Sequence, residues 1–171
     1  MTHPKPVPGQ PIPALTFEKL GGGHVSIGGA RDRWLMLVVY RGKHCPRCKK
    51  YLNKLNDMLA DWQSILDVVV VSGDPVEKAA ADQNEFGWDF DLCFGLTEQD
   101  MRALGVYVTD PLSDAETDRR FAEPGIFVIR PDGDLMLVDI SNGPASRPDL
   151  DELLDGMRFN ISNDRPTRGM A

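Results

Sequence analysis

Residues 35–48 read LMLVVYRGKHCPRC and join a strand-like run to a helical pattern through two cysteines. The first six residues are an uninterrupted apolar run, which is typical of a buried strand. Apolar residues then recur at the spacing of one helix face, at Cys48, Tyr51, Leu52, Leu55, Leu59 and Trp62. The sequence therefore predicts that Cys45 and Cys48 lie where a strand is followed by the first turn of a helix. Pro46 suits that turn, because its missing N–H costs nothing there.

The charge around the two cysteines is positive, although the chain as a whole is acidic. Five cations and one histidine surround them: Arg41, Lys43, Arg47, Lys49, Lys50 and His44. No acidic residue lies between Arg33 and Asn56, whereas the chain carries 26 Asp and Glu against 19 Lys and Arg. Cations and a helix N-terminus favour a thiolate, and lowering a thiol pKa from ~8.5 to ~6.5 takes ~2.7 kcal/mol. We therefore expect Cys45, the more exposed thiol, to be held as an accessible anion.

Length and composition favour one domain and exclude several classes of protein. A chain of 171 residues is long enough to bury a sizeable core. A net charge of −7 argues against general nucleic-acid binding, and the apolar runs are too short to span a bilayer. The first 13 residues contain no apolar segment of the kind found in secretory signals. Three cysteines do not make a disulfide framework, so we expect a reducing, cytoplasmic setting.

The chain divides into an arm, a domain and a tail. Residues 1–13 contain five prolines, which predicts an extended or mobile arm. Residues 14–160 are expected to form a single domain, and residues 161–171 a polar C-terminal tail. Within the domain, residues 110–123 are polar and are expected to form a long surface loop.

The order of strand and helix patterns predicts an α/β fold. A β-hairpin around Gly21-Gly22-Gly23 precedes three alternating strand–helix units, and a second hairpin around Pro131-Asp132-Gly133 precedes a closing helix over residues 149–157. This order predicts a central mixed β-sheet flanked by helices, with an N-terminal β-hairpin extension. A CxxC motif after the first core strand of such a pattern is typical of a thioredoxin-like fold.

An ordered set of segments resembles a known family over about residues 15–157. The segments are Tyr40–Cys48, Val70–Asp74, Leu104–Tyr107 and Glu123–Gly133. Together they are similar to the peroxiredoxin-like branch of the AhpC/TSA (alkyl hydroperoxide reductase C and thiol-specific antioxidant) family, within the thioredoxin-like superfamily. The resemblance implies a peroxidatic or nucleophilic thiol at Cys45. It also implies that Pro124 is similar to the cis-proline that faces the active-site cysteine in thioredoxin-fold proteins.

The chain departs from the pattern of typical peroxiredoxins at three positions. Those proteins carry Pro-x-x-x-Thr-x-x-Cys, and the corresponding positions here are Val38 and Gly42. Pro124 stands where they carry an arginine at the start of a strand. Arg41 or the pair Arg119-Arg120 are the candidate replacements for that arginine. The departures favour CxxC disulfide chemistry over efficient reduction of hydrogen peroxide.

The expected mechanism uses the two thiols in turn. Cys45 attacks a peroxide oxygen or a substrate disulfide, and Cys48, one helical turn away, attacks the product and closes a Cys45–Cys48 bond. A thioredoxin-like dithiol donor then reopens it, and no cofactor is required. Two alternatives remain open, namely a disulfide reductase without peroxidase activity and a non-enzymatic redox-sensing or binding protein. A homodimer is implied by the resemblance alone.

A metal site and catalytic roles for Cys93 and His44 are less strongly indicated by the sequence. A zinc site needs about four ligands, and only Cys45, Cys48, Cys93 and a stray histidine are available, so we expect no metal. Cys93 is expected to be buried core, and His44 either tunes Cys45 or is simply solvated. The candidate site therefore consists of Cys45 and Cys48 with the supporting residues Arg41, Gly42, His44, Pro46 and Pro124.

Overall fold

The computed structural model of the chain describes residues 5–171. Its strands and helices are β1 (Leu15–Lys19), β2 (His24–Ile27), β3 (Leu35–Val39), α1 (Pro46–Asp57), α2 (Leu59–Gln63), β4 (Asp67–Val71), α3 (Val76–Phe86), β5 (Asp91–Phe94), α4 (Glu98–Leu104), β6 (Val108–Thr109), β7 (Phe121–Ala122), β8 (Gly125–Ile129), β9 (Leu135–Ile140) and α5 (Leu150–Ser162). Within this described part of the chain, no helix is both long enough and apolar enough to cross a membrane.

Seven of the strands form one mixed sheet in the order β2-β1-β5-β4-β3-β8-β9. Strands β3, β4 and β5 run parallel, as the alternating strand–helix units predict, and β8 and β9 form the predicted antiparallel hairpin. The N-terminal hairpin joins the sheet because β1 pairs with β5, with Glu18 opposite Phe94. The predicted mixed α/β sheet is confirmed. Strands β6 and β7 form a separate two-stranded ladder.

Strand β3 lies in the middle of the sheet, and all five of its residues are fully buried. Because side chains alternate along a strand, Met36 and Val38 face one core while Leu35 and Leu37 face another. Helices α1, α2, α3 and α5 contribute to the first core, and α4 contributes to the second. Both sheet faces are therefore covered, which explains why this strand is a continuous apolar run in the sequence.

The helix predicted to run from the cysteines to Trp62 is two helices. Helix α1 ends at Asp57, and Met58 adopts φ −96° and ψ 4° before α2 begins at Leu59. Trp62 is nevertheless fully buried in the first core. The apolar spacing continues across the break, so it gives no signal that one helix ends and another begins.

The described part of the N-terminal arm is hydrogen-bonded to the domain, and the last helix is longer than predicted. Residues 1–4 of the predicted arm lie outside the described residues, but Gly9 and Gln10 hydrogen-bond to Leu135 of β9 at 2.7 and 2.9 Å. The described part of the arm is therefore fixed to the sheet edge instead of mobile. Helix α5 continues to Ser162, beyond the predicted end at Met157. The division into arm, domain and tail stays a prediction.

The loop predicted over residues 110–123 ends earlier in the structure, before Phe121. Phe121 and Ala122 form β7 and pair with β6, and Phe121, Ala122 and Glu123 are all buried. Strand β7 has only two residues, and its partner β6 is equally short. Two apolar residues at the end of a polar segment are too few to show a strand pattern in the sequence. Residues 110–120 are the part that lies outside regular strands and helices.

Asp149 caps α5, and its removal tests how much that cap contributes to stability. Its carboxylate accepts hydrogen bonds from the backbone N–H groups of Asp151 and Glu152, at 3.0 Å each. We expect Asp149→Ala to lower the free energy of unfolding by about 1 kcal/mol, because those groups lose their acceptor. Denaturant unfolding measures the loss.

The matched control is Asp151→Ala. Asp151 also pairs with Lys54, at 2.6 Å, but its side chain is exposed and caps no helix. An exposed ion pair contributes about 0.2–1 kcal/mol, so the control should lose less. Equal losses in the two variants would contradict the capping role of Asp149.

Candidate active site

The CxxC pair lies at the N-terminus of α1, as the sequence predicts. Cys45 is the N-cap residue, and its sulfur accepts a hydrogen bond from the Cys48 backbone N–H at 3.2 Å. Pro46 occupies the first helical position, where it is tolerated. The Cys45 N–H donates to the Gly42 carbonyl at 3.1 Å, which folds the preceding turn back onto the helix end. The local sequence thus places one cysteine sulfur over the first turn of its own helix.

The two sulfur atoms are in direct contact. Their Sγ atoms are hydrogen-bonded at 2.6 Å, and a disulfide bond requires about 2.05 Å. All three cysteines of the chain are free thiols in this structure. Closing a Cys45–Cys48 bond therefore needs only a small movement of the side chains.

The two thiols differ strongly in acidity. The hydrogen bond from the Cys48 side chain lowers the pKa of Cys45 to about 6, with further help from the Cys48 N–H and from the Arg41 side chain, while burial opposes the shift. The same hydrogen bond and burial raise the pKa of Cys48. The shared proton therefore stays on Cys48, and Cys45 is the anion. The sequence predicts this direction from the cations and the helix N-terminus, but the largest contribution, the side-chain hydrogen bond from Cys48, is not part of that prediction.

The expected exposure of Cys45 is wrong. Its side chain is 1% exposed, Cys48 is fully buried, and both belong to the first core. An N-cap side chain turns back toward the N–H groups of its own helix, and here this direction leads into the core. The anion is therefore stabilised without being accessible in this conformation.

Arg41 lies beside Cys45 and is itself held by two carboxylates. Its Nε is 3.2 Å from Glu123 Oε2, and its Nη2 is 3.6 Å from Glu116 Oε1. Its guanidinium also stacks over the ring of Phe121, 4.7 Å from the ring centroid. Of the candidates for the missing arginine, Arg41 is thus the one that contributes to the acidity of Cys45.

The other two candidates pair elsewhere. Arg119 forms its ion pair with the neighbouring Asp118, and Arg120 pairs with Asp110 and Glu98. Both side chains are substantially exposed. Neither arginine is among the main causes of the low pKa of Cys45, which favours Arg41 over these two positions.

Gly42 is required by its close approach to a buried carboxylate. Its φ of 128° lies in the region that favours glycine, and an added Cβ would lie 2.8 Å from both carboxylate oxygens of Asp74. Asp74 accepts the Lys43 backbone N–H at 2.6 Å, and burial raises the pKa of Asp74. The turn before the cysteines is therefore held by a residue that follows the neighbouring strand β4.

His44 packs against Phe121 and is not the solvated side chain that the sequence allows. The two ring centroids are 4.5 Å apart. Burial, and then the charge of Arg41, lower the pKa of His44. The imidazole is therefore neutral near pH 7, so it adds no positive charge to stabilise the Cys45 anion.

Pro124 does not have the backbone geometry that the resemblance implies. No peptide bond of residues 5–171 is cis, so the bond before Pro124 is trans. The backbone runs from β7 directly into β8, and an extended connection does not need the tight turn in which cis-proline is usually found. The predicted similarity to a cis-proline is wrong in this respect.

The comparisons with known proteins agree with this geometry. A sequence model described as the AhpC/TSA family matches residues 8–138, most of the chain. The chain belongs to the AhpC/TSA family. The expectation of a thiol-dependent oxidoreductase is thereby confirmed at the level of the family. None of the curated proteins matches the chain.

Several solved structures have the same fold as this chain. A peroxiredoxin-like protein from Aquifex aeolicus is 20% identical, with 91% of this chain and 88% of that chain covered and a TM-score of 0.77. Peroxidoxin BcpB from Mycobacterium tuberculosis is 19% identical, covering 90% and 97%, with a TM-score of 0.71. The reduced 2-Cys peroxiredoxin of Plasmodium vivax is 14% identical, covering 95% and 85%, with a TM-score of 0.76. At these identities the likeness shows the fold.

Several residues of the site were missed by sequence reasoning. Glu116, Phe121 and Glu123 come from the end of the polar loop, and Asp74 comes from the carboxyl end of β4. Asp74 had a usable signal, because β3 and β4 are parallel neighbours and their carboxyl ends lie together. The other three are brought to Arg41 by the β6–β7 ladder, which has no pattern in the sequence.

A buried ion pair near the helix start was also missed. Asp82 of α3 is fully buried, 3.7 Å from the Lys49 ammonium of α1, and burial raises the pKa of Asp82 to about 6. Lys49, one of the cations that the sequence places around the cysteines, is therefore the partner of this carboxylate. Among residues 5–171, no three His, Cys, Asp or Glu side chains are grouped closely enough to hold a metal.

Cys93 lies on the opposite face of the sheet from the CxxC pair. It is fully buried in the second core, and burial raises its pKa to about 12. Such a thiol is neutral and unreactive in the folded protein. The structure therefore places it where the sequence predicts, in the core.

The acidity of Cys45 can be tested by the pH dependence of its alkylation. Because only the thiolate reacts, the rate should rise with pH through a midpoint near 6 and level off above about 7. A small neutral reagent and mass spectrometry of the labelled peptides measure this profile. Cys93 provides the internal control, because it should remain unlabelled throughout. A midpoint near the ordinary thiol value of about 8.5 would refute the stabilised anion.

Proposed function

We propose that this chain is a peroxiredoxin-like thiol oxidoreductase in which Cys45 is the nucleophile and Cys48 the resolving thiol. The observation that carries the proposal is the paired geometry. The Cys45 sulfur is the acceptor of the Cys48 N–H at 3.2 Å and contacts the Cys48 sulfur at 2.6 Å. One thiol is thus prepared as an anion, and the other is kept protonated within bonding reach.

With a peroxide as oxidant, the reaction proceeds in two steps. The Cys45 thiolate attacks one peroxide oxygen, the O–O bond breaks, and the departing oxygen leaves as an alcohol or water after taking a proton. Cys45 becomes a sulfenic acid. The Cys48 thiol then attacks that sulfur, the S–S bond forms, and the hydroxyl leaves as water with the Cys48 proton. A dithiol donor reduces the disulfide and is itself oxidised.

A disulfide substrate uses the same two groups and is the second candidate. The Cys45 thiolate forms a mixed disulfide, and Cys48 displaces the substrate thiol from it. The observation that favours this candidate is Gly42, which stands where typical peroxiredoxins carry threonine. Since a Cβ there would contact Asp74, this position has no room for a hydroxyl that could hold a peroxide.

Either substrate must reach a sulfur that is 1% exposed, so part of the structure has to move. Residues 110–120 are the best candidate. Glu116 of this segment pairs with Arg41, and Lys78 of α3 contacts Thr117 and Asp118 at 3.3 and 3.1 Å. These are polar contacts near the surface, which exchange for water at little cost. We therefore propose that the segment moves away to admit the substrate.

Partners and location follow from the same proposal. The substrate is a peroxide or a disulfide, and the electron donor is a thioredoxin-like dithiol, since a CxxC disulfide is reopened by exchange with another thiol pair. Three free cysteines fit a reducing cytoplasm, where disulfides serve as transient redox groups. A homodimer is proposed from family resemblance.

Cysteine substitutions test the assignment of the two thiols. Cys45→Ser should abolish thiol-dependent turnover, because no nucleophile remains, and Cys48→Ser should accumulate mixed disulfides with substrate or donor. Non-reducing gels and mass spectrometry detect the trapped species. Cys93→Ala is the control and should keep its activity, since Cys93 lies on the other face of the sheet. The mechanism is wrong if both CxxC variants turn over like the wild type.

Two assays run side by side separate the candidate functions. Consumption of peroxide with a thioredoxin system indicates a peroxidase, whereas reduction of insulin disulfides indicates a disulfide reductase. The absence of both activities, together with a stable Cys45–Cys48 disulfide, indicates the redox-sensing alternative and contradicts turnover.

The proposed movement of residues 110–120 is tested by Lys78→Met. This change removes both contacts to Thr117 and Asp118, so Cys45 should be alkylated faster at pH 8, by up to about fivefold, the equivalent of one exposed ion pair. At pH 8 the wild-type thiol is already ionised, so the rate reports access and not acidity. Lys54→Met is the control, because Lys54 pairs with Asp149 and Asp151 of the α5 start. Equal rates in the two variants would refute this route of access.

A further inference from the structure

Glu123 is a buried carboxylate with no role in the proposed chemistry. Its side chain is 5% exposed, and three contacts fix it. Its backbone N–H donates to the Tyr107 carbonyl at 2.8 Å, Thr109 Oγ1 lies 2.7 Å from its Oε1, and Arg41 Nε lies 3.2 Å from its Oε2. Glu123 therefore connects the β6–β7 ladder to the arginine beside Cys45.

Stability alone does not explain this buried pair. Removing two charges from water is costly, and a buried ion pair is often no more stable than a well-packed apolar pair of the same volume. The pair provides a defined orientation of the Arg41 guanidinium, since a long arginine side chain is flexible unless its guanidinium is held. Phe121 covers one face of that guanidinium, and the Glu123 carboxylate forms an ion pair at its Nε edge.

We propose that Glu123 is a positioning residue that, braced by Thr109, holds the Arg41 guanidinium beside the sulfur of Cys45. It acts through Arg41 and does not touch the reacting atoms. The inference rests on the proposed function only in taking Cys45 as the nucleophile. Glu116, the second carboxylate on Arg41, has no such role, because its side chain is 21% exposed, its contact is longer at 3.6 Å and it belongs to the segment 110–120.

The two possible roles of a carboxylate at this place have opposite signs. A carboxylate that acts only by its charge disfavours a nearby thiolate, so removing it should lower the pKa of Cys45. A carboxylate that positions Arg41 keeps a thiolate-stabilising group in place, so removing it should raise the pKa of Cys45. The direction of the change therefore distinguishes positioning from simple charge.

The test compares Glu123→Leu with Glu116→Leu, which remove the same charge from the same guanidinium. The midpoint of Cys45 alkylation against pH is measured on the reduced protein, without peroxide, disulfide or donor. Glu123→Leu should move the midpoint from about 6 to about 7, which is a tenfold slower reaction at pH 5. Glu116→Leu should leave the midpoint unchanged or lower it. A lower midpoint in Glu123→Leu, or equal increases in both variants, would overturn the proposal.

Two further variants separate positioning from damage to the fold. Thr109→Val keeps every charge and removes only the hydroxyl that braces Glu123, so it should raise the midpoint by a smaller amount, with about a threefold slower reaction at pH 5. In an Arg41→Gln background, Glu123→Leu should no longer raise the midpoint, because its effect passes through Arg41. An undiminished increase in that background, or no change in Thr109→Val, would refute the inference.

These outcomes are independent of the proposed turnover, because the measured quantity is the acidity of one thiol in the resting protein. A protein with the predicted midpoints but no activity in either assay would keep the role of Glu123 and contradict the proposed function. A protein that is active, but whose alkylation midpoint does not depend on Glu123, would support the proposed function and contradict the role of Glu123.

Discussion

The hydrogen bonds that Cys48 directs at the Cys45 sulfur are the interaction on which the site depends. The backbone N–H and the thiol of Cys48 both reach that sulfur, and the helix fixes their positions. Because these donors are buried, neither water nor salt weakens them as it weakens the attraction of a surface cation. A fully enclosed sulfur can therefore remain acidic. The same bonds keep Cys48 protonated, so the chemical difference between the two thiols arises from one short turn of helix.

The positive charge around the cysteines is partly compensated in three dimensions. Arg41 lies between two carboxylates, and Lys49 pairs with the buried Asp82. Each of these acidic groups comes from a segment that is distant in the sequence. The sequence alone therefore shows the cations but not the carboxylates that pair with them. A net attraction for thiolates at this site must therefore depend on which guanidinium is aimed at the sulfur, and not on the number of cations nearby.

The sequence predicts those features that local rules determine. The strand that begins at residue 35, the helix start at the CxxC motif and the turn at Gly21-Gly22-Gly23 depend on neighbouring residues, and all are present. The break at Met58, the short strand β7, the burial of Cys45 and the trans bond before Pro124 depend on distant contacts. Periodicity carries no record of such contacts, and the family resemblance implied a cis bond before Pro124 that the structure does not have.

The arrangement of charges around Arg41 also suits the oxidised state. When a Cys45–Cys48 disulfide forms, the negative charge on Cys45 disappears, and a guanidinium that had only this partner would be left as an unpaired buried cation. Arg41 already pairs with Glu123 and Glu116 while the two thiols are reduced, so compensation of its charge does not depend on the Cys45 anion. These carboxylates also weaken the electrostatic stabilisation that Arg41 gives to the Cys45 thiolate. The hydrogen bonds from Cys48 make up for that weakness, which is why they, and not the cations, are the main cause of the acidity of Cys45.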